Sequence, residues 1–210
     1  MIKAIIFDLD NCIFDTSSMG GRAIQGVKDA LSASSLPPEI KTAVGQALKT
    51  DPLDDVLRRF GVPKELGEVM REAYKTSDVP ADCAVRTYGD ESAIVPLQVL
   101  KILVTSGYKK FQNAKIARLG IAGLFDEIIV DVLDEPAKRK GKKVIFEEIL
   151  KARHLQKSEV LVVGDNPRSE LGVAKELGIK AVQTLRPGVV HWPEADYHIA
   201  SLHELAGLIK

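Results

Sequence analysis

The sequence predicts an α/β protein: a doubly wound parallel sheet with a small all-helical module inserted after the first strand. Three observations carry this. Short apolar runs rich in β-branched residues alternate with helical patterns of about a dozen residues, as βαβ units require. The runs are almost continuously apolar, as in parallel strands covered on both faces. Between the first and second runs lies a long segment with helical periodicity and no convincing strand.

The first strand is the run Ile2, Ala4, Ile5, Ile6 and Phe7, which stops at Asp8. In the segment that follows, Ala23, Val27, Ala30 and Leu31 form one apolar stripe, Val56, Leu57 and Phe60 a second, and Leu66, Val69, Met70 and Ala73 a third. Pro37, Pro38, Pro52 and Pro63 punctuate these patterns near helix starts, where proline is tolerated. The expected division is residues 1–16 with 84–210 for the α/β domain and 17–83 for the helical module. Residues 84–98 read only as a return link, because Pro96 interrupts any helix there. Strands are then expected at Val99–Val104, Glu127–Val130, Val160–Val163 and Lys180–Thr184, and helices at Tyr108–Leu119, Val144–Ala152 and Pro167–Leu177. Gly120 and Gly178 stand where helices stop.

A chain of 210 residues that is 45% hydrophobic can bury one good core and a smaller second one. The 29 basic and 29 acidic residues cancel, so nothing global attracts nucleic acid or an anionic membrane, and phosphate recognition has to be local. Cys12 and Cys83 are too few for a disulfide framework and too isolated for a zinc site. Reduced thiols and the lack of a span-length apolar stretch give the expectation of a soluble, cytoplasmic protein.

The stretch FDLDNCIFDT presents two carboxylates, Asp8 and Asp10, directly behind a buried strand. A carboxylate at a core edge loses hydration and must be paired, metal-bound or functional. In an open parallel sheet, ligands gather beyond the carboxyl ends of the strands. The other strands end there in Thr105-Ser106-Gly107 and in Gly164-Asp165-Asn166, with Glu170 further on, and Lys138, Lys140, Lys142 and Lys143 precede one of the helices. Asp8 and Asp165 could bind a hard cation such as magnesium, which takes only one or two protein carboxylates. Metal and lysine would neutralise a transferring phosphoryl group, while Thr105 and backbone N–H groups hold its oxygens. One aspartate would attack as nucleophile and the other would carry a proton. Residues two apart on an extended strand point the same way, which does not rank Asp8 against Asp10.

With these residues in place, the chain resembles the haloacid dehalogenase-like hydrolases, specifically the phosphatase branch with a helical cap after the first strand of a Rossmann-like core. The resemblance covers roughly residues 1–16 and 99–205. It implies that Asp8 is the nucleophile and that Asp10 protonates the leaving group and then activates water. It makes Thr105 the phosphate-binding hydroxyl beside Ser106 and Gly107, and Asp165 with Glu170 the acidic motif that holds Mg2+ together with Asp8 and the Asp10 carbonyl. Three positions depart from the family pattern. Cys12 replaces the usual threonine, leaving only a weak S–H donor. The lysine motif reads Lys140-Gly141 where lysine-proline is usual; counting back from Ile145-Phe146 selects Lys140, with Lys138 and Lys142 as alternatives. Glu170 replaces the more frequent aspartate.

The resemblance implies a magnesium-dependent phosphatase acting on a small phosphorylated metabolite. A phosphomutase with the same site and a non-catalytic or receiver-like phosphate-binding regulator are the alternatives. No nucleic-acid or membrane partner is expected, and oligomeric state is not legible. His191, His198 and His203 fit no zinc spacing and read as ordinary surface or core residues, and Trp192 as a packing residue.

Overall fold

The computed structural model describes residues 1–20, 22–48, 51–135 and 137–209. The chain divides into two compact units, Met1–Ser18 with Val85–Lys210, and Met19–Ala84.

In the larger unit, β1 (Ala4–Phe7) is followed by a tight loop and β2 (Phe14–Asp15). β2 pairs antiparallel with β3 (Arg86–Thr87), so the segments leading out of and back into this unit lie side by side. This short ladder is what residues 84–98 hide: two residues are too few for a period to register. The rest of the unit alternates β4 (Leu100–Gly107), β5 (Glu127–Val132), β6 (Val160–Gly164), β7 (Lys180–Thr184) and β8 (Tyr197–Ile199) with helices. Together with β1 these strands make a parallel six-stranded sheet in the order β5-β4-β1-β6-β7-β8.

Among the described residues the smaller unit holds four α-helices, α1 (Gln25–Ala33), α2 (Pro38–Ala47), α3 (Leu53–Arg59) and α4 (Lys64–Lys75). Pro37, Pro52 and Pro63 stand at the N-caps of α2, α3 and α4, and Pro38 occupies the first turn of α2. There its missing N–H costs nothing and its fixed φ already suits a helix. Val27, Leu31, Val44, Leu53, Val56, Leu57 and Met70 form the core of this unit. Val69, expected in the α4 stripe, is 56% exposed. The face that packs inward runs through Leu66, Met70 and Ala73, and Val69 lies one residue off it.

In the larger unit α5 (Lys109–Leu119), α6 (Lys142–Ala152) and α7 (Glu170–Leu177) complete the layers. All of β1 is buried, as a central parallel strand should be. Ala4 and Ile6 of β1 join Ile102, Val104, Val160 and Val162, and this sheet face packs on Ile145, Phe146 and Ile149 of α6 and Leu171, Ala174 and Leu177 of α7. Each such aliphatic side chain contributes about 1.5–3 kcal/mol by burial. Trp192 packs at the edge of this cluster. Gly120 and Gly178 end α5 and α7 with φ of 67° and 74°, which glycine adopts without strain.

Two helix starts differ from the sequence pattern. α7 begins at Glu170, because residues 166–169 form a turn in which the Ser169 N–H donates to the Asn166 carbonyl at 3.1 Å. α6 begins at Lys142, two residues before Val144, because Gly141 takes a φ of 78° and turns the chain directly into the helix. After β8 comes a 3-10 helix, Leu202–Gly207, capped by Ser201 and Glu204. Among the described residues, no helix is long and apolar enough to cross a membrane.

Candidate active site

β1 lies between β4 and β6, and the chain winds outward from it in opposite directions on the two sides. The carboxyl end of β1 is therefore the crevice in which such sheets bind ligands. Asp8 and Asp10 follow β1, Thr105 lies near the end of β4, Asp165 follows β6, and Lys142 and Glu170 open α6 and α7.

The loop after β1 is fixed by its own backbone. The Asp8 N–H donates to the Val163 carbonyl at 2.9 Å, and the Leu9 carbonyl accepts from Ile13 and Phe14 at 3.0 and 2.9 Å. Asn11 takes the left-handed conformation that the turn requires, with φ of 55°. Cys12 is buried, and its thiol donates weakly to the Val163 carbonyl at 3.7 Å. Burial pushes that thiol well above its usual range, with the nearby Asp8 charge adding to the effect. The Cys12 carbonyl accepts from Arg186 Nε at 3.0 Å, so a guanidinium ties down the loop.

Arg186 is itself held by Asp90 through two parallel hydrogen bonds, Nη1 to Oδ2 at 2.8 Å and Nη2 to Oδ1 at 2.9 Å. Asp90 Oδ2 also accepts from the Ser201 hydroxyl and the Leu202 N–H. One buried ion pair thus joins the loop after β1, the segment after β3 and the C-terminal segment. Sequence reading missed it because its members lie far apart along the chain.

Asp8, Asp165 and Glu170 can each present an oxygen within 4.8 Å of the other two. Lys142 Nζ donates to Asp8 Oδ1 at 2.7 Å and to Glu170 Oε2 at 2.8 Å. Glu170 Oε1 accepts the N–H groups of Asp165 and Asn166 at 3.0 and 2.7 Å. Burial pushes the Asp8 carboxyl up to about 7; Lys142 counters and Glu170 reinforces that shift. Burial and then the Glu170 and Asp8 charges push Asp165 up to about 8. Burial alone would raise Glu170 too, but the Lys142 charge and hydrogen bonds bring it below its usual range. For Lys142, burial would favour the neutral amine, yet Asp8 and Glu170 hold it firmly as the ammonium. Gly164 makes this packing possible, since a Cβ there would lie 2.3 Å from Glu170 Oε1.

Of the three lysines considered, the structure brings Lys142 to Asp8 and Glu170, and not the first choice, Lys140. Asp131, buried at the end of β5, accepts both the Lys140 and Gly141 N–H groups at 3.1 Å. That fixes the backbone so that Lys140 runs outward to Glu148 at 2.7 and 2.8 Å, while Lys142 enters the site from the first turn of α6. Lys138 is exposed and pairs with Glu135. Gly141, at φ of 78°, turns the chain into α6 directly before Lys142.

Thr105 is buried, and its hydroxyl accepts from Gln112 Nε2 at 2.7 Å. The same nitrogen reaches the Ser106 carbonyl at 2.8 Å and Asp10 Oδ2 at 3.2 Å. The Ser106 hydroxyl turns to Asp131 Oδ2 at 3.3 Å, away from the acid cluster. Asp10 is gripped by Lys115 Nζ, at 2.6 Å to Oδ1 and 2.8 Å to Oδ2. Gln112 and Lys115 were not singled out from the sequence, although polar residues on the buried face of a helix were a legible signal. His191 and His198 stack with ring centroids 4.2 Å apart, and His198 Nε2 bonds the Trp192 carbonyl at 2.8 Å. Among the described residues the acid cluster is the one group with metal-ligating geometry.

Fold and site together define an α/β chain with an acid–lysine centre at the switch point of a doubly wound sheet. The chain matches the family described as Haloacid dehalogenase-like hydrolase over residues 5–184 and belongs to it. It is 27% identical to glyceraldehyde 3-phosphate phosphatase of Pyrococcus abyssi, over 87% of this chain and 81% of that protein. It is also 27% identical to enolase-phosphatase E1 of Aquifex aeolicus, over 98% and 99% of the two chains. A haloacid dehalogenase-like family hydrolase from Streptococcus pneumoniae has the same fold, with a TM-score of 0.71 at 19% identity over 100% of this chain and 99% of that one.

Proposed function

We propose that the chain is a magnesium-dependent phosphatase that hydrolyses a small phosphorylated metabolite through a phosphoaspartyl intermediate on Asp8. The observation that carries this reading is the Lys142 ammonium held between Asp8 and Glu170 beside the Asp165 carboxylate.

A hard cation fits this donor set. Its ligating atoms are carboxylate oxygens, and Asp8 and Asp165 are pushed upward by burial and by neighbouring acids, a strain that a divalent cation relieves. Asp8, Asp165 and the Asp10 carbonyl would hold it. Glu170, with Lys142 on one oxygen and two N–H groups on the other, would support the set from behind. When bound, the cation supplies positive charge to the phosphoryl oxygens.

In the first half-reaction Asp8 attacks phosphorus, the bond to the leaving oxygen breaks, and Asp10 gives that oxygen a proton. Lys142 fixes the attacking carboxylate and neutralises charge beside it, and Thr105 donates to a phosphoryl oxygen. In the second half-reaction Asp10 takes a proton from water as water attacks phosphorus and the bond to Asp8 breaks. A cytoplasmic setting is part of this reading, since two cysteines are too few for a disulfide framework.

The test is a magnesium-dependent screen of phosphorylated metabolites, beginning with triose phosphates because of the name of the Pyrococcus relative. Phosphate release by the wild type and none by Asp8→Asn is expected. No release from any ester, or a fully active Asp8→Asn, overturns the reading.

A further inference from the structure

We infer that Lys115 and Gln112, one turn apart on α5, are positioning residues for the proton-transferring Asp10 and the phosphate-binding Thr105. This rests on the phosphatase reading and names what aims two of its working groups.

Lys115 is 4% exposed and Gln112 2% exposed, among Phe111 and Ile116 on the buried face of the helix. A buried lysine is costly unless it is paired and hydrogen-bonded. The Lys115 ammonium meets both oxygens of Asp10, with the rings of Phe14 and Phe111 on its flanks at 5.5 and 5.2 Å from the centroids. Turning the carboxylate about its Cβ–Cγ bond would break one of the two contacts. Asp10 is thereby held in one orientation for both half-reactions, giving a proton to the leaving oxygen and later taking one from water.

Gln112 aims Thr105. Its Nε2 faces the Ser106 carbonyl, which cannot donate, so the amide cannot be reversed without setting oxygen against oxygen. The Thr105 oxygen accepts from this same nitrogen, and the hydroxyl proton must therefore be donated elsewhere, which makes it available to a phosphoryl oxygen. Gln112 Oε1 meanwhile is buried and without a partner among the described residues, a cost the fold bears to keep Nε2 in place. Gly107 makes the room, since a Cβ there would lie 2.7 Å from Gln112 Cγ.

The test uses the purified magnesium-loaded protein with two esters: p-nitrophenyl phosphate, whose leaving group departs without a proton, and the alkyl phosphate selected by the metabolite screen. In Lys115→Met, the first turnover of p-nitrophenyl phosphate should stay within about 3-fold of wild type, while steady-state turnover of both esters falls about 100-fold, because water attack needs an aimed base. Phosphoenzyme then accumulates as a burst. Lys115→Arg, which keeps two donors toward Asp10, should recover steady-state turnover to within about 5-fold. Gln112→Leu should raise KM for both esters about 10-fold through the misdirected Thr105 hydroxyl.

Equal slowing of the first and later turnovers in Lys115→Met, or no change in either, overturns the role of Lys115. If Lys115→Met fails to fold by thermal melting, Lys115→Arg without turnover, or Gln112→Leu with unchanged KM, overturns the proposal. A wild type that hydrolyses neither ester sinks the phosphatase reading itself, which separates the two failures.

Discussion

Lys140 and Lys142 are two residues apart and have opposite surroundings. Lys140 lies in an exposed ion pair, worth about 0–1 kcal/mol, so Lys140→Ala should leave turnover within about 2-fold of wild type. Lys142→Met removes the charge beside Asp8, the nucleophile of the proposed reaction, and should lower kcat by about 100–1,000-fold, which steady-state assays of the two variants compare directly. The same substitution leaves two buried carboxylates uncompensated and should also lower the melting temperature. Sequence reading singled out Asp8, Asp10, Thr105 and Asp165 because a strand end announces itself by an apolar run that stops. It put Lys140 ahead of Lys142 because a helix start depends on the φ of Gly141 and on Asp131, neither of which leaves a period in the sequence.

Among the elements, the approach of β6 to α7 depends on Gly164. Gly164→Ala would drive a methyl into Glu170, and overpacking of this kind costs about 1–3 kcal/mol. Thermal melting should show the loss, and magnesium titration should show weaker binding, because Glu170 braces the Asp165 loop. The Arg186–Asp90 pair adds a pH dependence. Burial alone would raise the Asp90 carboxyl, but hydrogen bonds from Arg186, Leu202 and Ser201 and the Arg186 charge hold it below its usual range. A depressed folded value means stability that is present above an unfolded value of about 4 and lost as pH falls through the folded value. Between about pH 6 and pH 3 the wild type should therefore lose more melting temperature than Asp90→Asn. The strands and most helices were legible because their apolar periods run over many residues. The β2–β3 ladder and this ion pair were not, since one is too short for a period and the other joins residues that are neighbours only after folding.

For the whole molecule, the proposed magnesium site would link cation binding to folding. With magnesium at about 100 times its Kd, stabilisation should reach about 2.7 kcal/mol and vanish on chelation. Burial and neighbouring acids push Asp8 up to about 7 and Asp165 up to about 8, so the metal-free fold loses stability as the pH rises from the ordinary value of about 4 to those values, where the buried cluster becomes charged. The same deprotonation readies the ligands. The magnesium-induced rise in melting temperature should therefore be larger at about pH 8.5 than at about pH 6, and should be absent in Asp165→Asn.

The pairing of Phe14 with Thr87 and Asp15 with Arg86 brings the two ends of a long excursion to the spacing of adjacent strands. For an evolving gene this is a socket. Whatever lies between those strands need only begin and end about 5 Å apart, and doubling its length adds only about 0.6 kcal/mol of closure entropy. Recombination at these borders can exchange one insert for another while the sheet and its acids stay in register. A chimera in which residues 19–84 are replaced by a short glycine-serine bridge should accordingly retain a cooperatively melting α/β unit.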